Sequence, residues 1–166
     1  MPEMEADAAG WRVYAKDVGW FKARRGALLV TTMVGTLTDQ SWEHFLQVLE
    51  ADLRIMTSVN KVAVLYDMRL ERGVMTPKRR KALGELLARY DDRTAAGTLA
   101  YAFSSRSLTA RAALQAIHWF SGPKYPTKVV DSPFEALRFL AERAPEIGGI
   151  DLWKSYEALV TRETGG

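Results

Sequence analysis

The sequence predicts an α/β fold: a single domain with a mixed, largely parallel sheet flanked by helices, plus an appended C-terminal helix. Three observations carry this. From ALLVTTMV (27–34) onward, short apolar, β-branched runs alternate with longer stretches of helical period. The run KVAVLYDM (61–68) is followed by a loop and then by Thr76-Pro77. There a hydroxyl cap and a proline at the first helical position mark a helix start, so strand, loop and helix form half of a βαβ unit. Finally, 166 residues with 48% hydrophobic and 26% charged side chains suit one core.

Taken in order, Trp11, Val13 and Ala15 alternate with Arg12, Tyr14 and Lys16, predicting a half-buried strand; Trp20–Arg24 is a second, and 27–34 a third after a turn at Arg25-Gly26. Thr38 or Asp39 caps a helix whose stripe is Trp42, Phe45, Leu46, Leu49, Leu53 and Met56. The strand 61–68 ends at Asp67, expected at the sheet edge, and the helix from Pro77 buries Leu83, Leu86, Leu87 and Tyr90. Asp91–Ala96 reads as a loop and Gly97–Phe103 as a strand. Ser105 or Ser107 caps a helix to about Phe120, with Ala110, Ala113, Leu114, Ile117 and Phe120 inward and Arg111, Gln115 and His118 as its water-facing stripe. TKVV (127–130) is a short strand. Ser132-Pro133-Phe134-Glu135 is a capping box opening a helix with Phe134, Leu137, Leu140 and Ala141 inward. After Ile147-Gly148-Gly149 comes a helix over Asp151–Arg162, bearing Leu152, Trp153, Tyr156, Leu159 and Val160; it must dock on its own domain or on another molecule, a second copy included.

Composition excludes whole classes of chemistry. With no cysteine there is no disulfide, thiolate nucleophile or Cys-ligated metal. The two histidines, His44 and His118, fall on different helices, which disfavours a His-based metal site; His44 is expected to be solvated. No phosphate-binding glycine loop, nucleophile elbow or HExxH occurs. The expectation is a non-enzyme without a cofactor. No apolar run spans a bilayer and the N-terminus lacks a signal-peptide pattern, so the expected location is cytoplasmic. Charge is unevenly spread: residues 61–90 carry eight basic and three acidic side chains, whereas residues 91–166 carry nine of each. One short basic cluster with no reading motif argues against nucleic acid as the partner.

Two local patterns carry a family resemblance. One is VLYDMRL with a capped helix at TPKRR; the other is AIHWFSGPKYPTKVVDSPFEALRFL, an aromatic helix end, a proline-containing loop, a short strand and a capped helix. With the order of elements, they make the chain resemble the STAS-like superfamily, in its anti-sigma-factor-antagonist-like branch, over Ala27 to Ala144. Residues 1–9 read as a disordered tail and 146–166 as a linker with a C-terminal helix; the resemblance implies that 10–145 is a STAS-like domain. It also implies a regulatory, protein-binding role or, as in the related CRAL-TRIO-type domains, an apolar ligand. Partner-switching members carry a phosphorylated Ser, preceded by Asp, at the start of the helix after the central strand. Here Met75-Thr76-Pro77 stands in that place. Thr76 reads as an ordinary cap; as a phosphosite it would hold its phosphate at a helix N-terminus.

The candidate partner surface is therefore Arg69, Arg72, Thr76, Lys78, Arg79 and Arg80. Arg79 and Arg80 are expected to extend the buried stripe towards the sheet's carboxyl edge, with Lys78 and Lys81 in solvent. The alternative is an apolar ligand pocket near Tyr101, His118 and Trp119.

Overall fold

A computed structural model describes residues 5–68, 76–121, 124–148 and 151–165, with the side chains of residues 117–121 outside that description. Six strands, β1 (Arg12–Asp17), β2 (Trp20–Arg25), β3 (Leu28–Met33), β4 (Val62–Asp67), β5 (Thr98–Ser104) and β6 (Thr127–Val130), form one sheet in sequential order. β1, β2 and β3 pair antiparallel, and β3 to β6 run parallel. The helices are α1 (Asp39–Ile55), α2 (Pro77–Arg89), α3 (Asp91–Gly97), α4 (Leu108–Ser121), α5 (Pro133–Arg143) and α6 (Leu152–Glu163). The mixed, largely parallel sheet and the appended helix stand as expected.

Local chemistry fixes the connections. The β2–β3 hairpin has the two-residue turn Gly26-Ala27; Gly26 has φ 57° and no non-glycine residue among those described has positive φ, the signature of a type II′ turn. Thr38 caps α1 in a reciprocal box with Ser41, and Ser107 caps α4, itself held by Ser105 Oγ. At α5 only half of the expected box forms: Ser132 accepts from the Glu135 amide, while the Glu135 carboxylate pairs with Arg138 instead. Asp91–Ala96, expected as a loop, is helical, and the helix takes in Gly97, expected to open the next strand; Asp91 and Asp92 are favourably placed in its first turn. It stops at Gly97, where a Cβ would lie 2.9 Å from Met56 Cβ.

Strand alternation sends side chains to two unlike faces. On one, Val13, Phe21, Ala23, Leu28, Val30, Ala63, Leu65, Ala100 and Ala102 meet Leu137 and Leu140 of α5 and Tyr156 and Leu159 of α6. α6 docks on its own domain: Trp11 Nε1 donates to Ser155 Oγ (3.0 Å), and Arg162 reaches Asp7 (3.2 Å). Asp7, read as part of the tail, also accepts the amides of Ala9 and Trp11. On the other face α1 seats Trp42 and Phe45 over Trp20 and Met33, while Leu83 of α2 and Leu114 of α4 are only partly buried. Leu86 is the buried residue of α2; Leu87 and Ala113, expected inside, are exposed. The stripe of α2 runs Arg79–Leu83–Leu86–Tyr90, which puts Leu87 on the solvent side. Phe134, expected inside, is exposed and stacks edge-on against Trp153.

Candidate functional site

Thr76 is the exposed N-cap of α2, its Oγ1 accepting from the Arg79 amide at 3.2 Å. Lys78 and Arg80 are exposed on the first turn, and Lys81 follows with a loose i,i+4 contact to Glu85 at 3.8 Å. No acidic residue occupies that turn. Arg80 therefore does not extend the buried stripe; position 80 falls beside Gly84 and Leu87 on the solvent side.

Arg79 behaves differently. Its side chain is 19% exposed, reaches the Leu37 carbonyl (3.3 Å) and Asp39 (3.2 Å), and lies 5.7 Å over the Trp42 ring. Arg79 thus fastens α2 to the start of α1 at the carboxyl end of β3. At the far end of α2, Glu50 of α1 draws together Tyr90 (2.8 Å), Arg54 (3.1 Å) and Arg89 (3.9 Å). The hydrogen bond from Tyr90, aided by the arginines, holds the Glu50 carboxyl below its usual range. Arg69 and Arg72 lie outside the described residues.

Of the expected pocket, Tyr101 is half-buried on β5, with its ring 6.4 Å from Tyr125; burial pushes the hydroxyls of both upward. Tyr66 and Phe103 stack beside it at 5.9 Å, and Leu83, Leu114 and Val129 adjoin. The side chains of His118 and Trp119 lie outside the described residues. Arg111, expected in the water-facing stripe, is half-buried, and its Nε is buried without a hydrogen-bond partner.

Two buried polar groups escape sequence reasoning. Lys22 of β2 lies beneath α1, its Nζ 3.0 Å from Asp52 and 2.7 Å from Thr31 Oγ1. Burial lowers the Lys22 pKa, and Asp52 opposes that shift. A bulge between Val13 and Ala15 turns Tyr14 to the same side, where it donates to Asp52 (3.0 Å). On the opposite face Asp67 is fully buried and accepts from the Tyr156 hydroxyl at 2.6 Å, with Thr32 Oγ1 2.9 Å from the same oxygen. Asp67 is thus an interior anchor for α6. Only Thr31, opposite Lys22 in the hairpin, was a signal within reach of the sequence; Asp52 and Tyr156 lie too far along the chain. His44, expected to be solvated, is instead held 2.6 Å from Asp17 and packs edge-on to Trp20. That hydrogen bond keeps the Asp17 carboxyl below its ordinary range. Among the described residues no cluster of three or more His, Asp or Glu could hold a metal, and no helix is long and apolar enough to cross a membrane.

No family model and no curated protein matches the sequence. Among solved structures, the chain is similar to an uncharacterized protein of the DUF3478 family with a SpoIIAA-like fold from Shewanella loihica. Sequence identity is 18%, with 82% of this chain and 98% of that chain covered and a TM-score of 0.51. The likeness extends over most of both chains and rests on fold.

Proposed function

The chain has a SpoIIAA-like, STAS-like fold, and from that premise we propose that it is a non-catalytic regulatory module that binds an acidic protein partner through the start of α2. One observation carries the reading. Lys78, Arg80 and Lys81 project from the first two turns of a helix with no acid in its first turn. Cations there oppose the helix dipole by about 0.3–1 kcal/mol each, a cost that an acidic partner would reverse. Arg79 is a fastener within this surface, so charge reversal at Arg79 would confound binding with folding. The informative variant is Lys78→Glu, Arg80→Glu, Lys81→Glu. Affinity capture should retain a partner with wild type, lose it with the triple variant and weaken as salt rises. A captured partner indifferent to both changes would sink the reading. Arg69 and Arg72, adjoining in sequence, belong to the same proposed surface, and phosphate on Thr76 would set a negative charge among these cations.

A second reading rests on the half-buried Tyr66 and Tyr101 of the sheet facing the half-buried Leu83 of α2 and Leu114 of α4: an apolar ligand between those helices and the sheet. Such a ligand would raise the melting temperature independently of salt.

A further inference from the structure

We propose that Arg12 and Arg24 form a second, separate binding site, for the phosphoryl group of a small phosphate monoester. The two residues are direct cross-strand partners on the antiparallel pair β1–β2, so their side chains leave the same face of the sheet side by side. Like charges placed opposite one another disfavour the strand pair. Both side chains are exposed, and neither forms an ion pair with a carboxylate among the described residues. Asp52, brought to this region by Tyr14, is occupied by Lys22 at 3.0 Å and by the Tyr14 hydroxyl.

The arginines border a depression of about 330 Å³ that Ala6, Gly10 and Gly26 also line. Both glycines have positive φ, 90° and 57°, so their backbone is fixed in a form that other residues rarely adopt, and no side chain roofs the depression from those positions. Arg24 is already oriented: its Nε donates to the Gly26 carbonyl at 2.7 Å, which leaves the terminal nitrogens of its fork for a ligand. Two guanidinium forks each offer paired donors to oxygens. A monocarboxylate can accept from both forks but brings one negative charge against two positive ones. A phosphate monoester has three terminal oxygens and a charge approaching −2, enough to bridge both and relieve their repulsion. The volume admits a phosphate with a small organic group attached.

The test is calorimetric titration at constant ionic strength, with inorganic phosphate and adenosine monophosphate as probes and sodium chloride as the blank. The variants are Arg12→Gln, Arg24→Gln and their double, with circular dichroism confirming the fold. Both sites are exposed, so the variants should fold. Each single change should weaken phosphate binding about tenfold or more, as expected for losing hydrogen bonds to a charged group, and the double should abolish it. Tighter binding of the nucleotide would identify the ester as the occupant rather than free phosphate. The Lys78→Glu, Arg80→Glu, Lys81→Glu variant should bind phosphate as wild type does. Heat unchanged in the double variant, heat lost in the α2 variant, or no heat with either probe would each overturn the proposal. The first and third outcomes leave the reading of α2 standing, and the second would place the anion on α2 instead.

Discussion

α5 and α6 cover one face of the sheet, and α2 and α4 sit across part of the other; the two pairs are built to different standards. α5 sinks Ala136, Leu137, Phe139 and Leu140 and α6 sinks Leu152, Tyr156, Leu159 and Val160. α2 buries Leu86, and the described residues of α4 are at most half-buried. α6 also carries polar ties to the first strands and to Asp67, whereas α2 is fastened by Arg79 at one end and around Glu50 at the other. The contrast separates two helices committed to the core from two that the sheet holds lightly, on a face that α1 otherwise seals with Trp42 and Phe45. Few buried contacts mark the segments that open at low free energy, and α2 buries Leu86 alone.

Matched truncations sharpen the comparison most. Leu140→Ala, at a fully buried position of α5, should cost about 2–5 kcal/mol in denaturant unfolding. Leu83→Ala on α2 should cost less than half of that, since part of the side chain already meets water. Equal costs would erase the distinction between the faces. Next in size, Tyr156→Phe removes the hydroxyl between Asp67 and Thr32 and with it one hydrogen bond to the buried Asp67, for about 1–3 kcal/mol. Hydrogen exchange should then speed in α6 ahead of α2; the reverse order would deny that Asp67 anchors α6.

The smallest effect is acid titration. The carboxyls of Asp17 and Glu50 have folded-state pKa values below their ordinary ones, through hydrogen bonds from His44 and Tyr90 respectively. Their contribution is present above about pH 4 and is lost as pH falls through the depressed values. Melting temperature should therefore drop below that pH, and less steeply in Asp17→Asn. An identical profile in the variant would show the His44 contact to be without energetic weight.

Much of the architecture was legible because its signals are local. Thr38, Thr76 and Ser132 each sit within three residues of the amides they cap, and the alternation of apolar runs fixes the sheet. The misreadings trace to nonlocal causes. Periodicity places Leu87 and Arg80 inward, but the face α2 turns inward is the one that carries Arg79 against Trp42 and Asp39, contacts across about 40 residues that spacing within a helix cannot convey. Arg111 reads as polar and therefore wet, yet Leu114 draws its side of α4 towards the sheet. The Lys22–Asp52 and Asp67–Tyr156 pairs join distant segments, so no motif announces them. At the candidate site, the exposed cations of α2 were visible in composition; which of them is already engaged was not.

The sheet order has a consequence for how the chain is made. Each strand lies beside its neighbour in sequence, so the sheet can lengthen strand by strand as the chain leaves the ribosome, without threading. Trp11, Val13 and Phe21, however, are sealed by α6, whose residues emerge roughly 130 positions later. A nascent chain halted before Leu152 would carry an uncovered apolar surface over its first strands. Translation must therefore run nearly the whole length of this sequence before its earliest-made strands are shielded from aggregation.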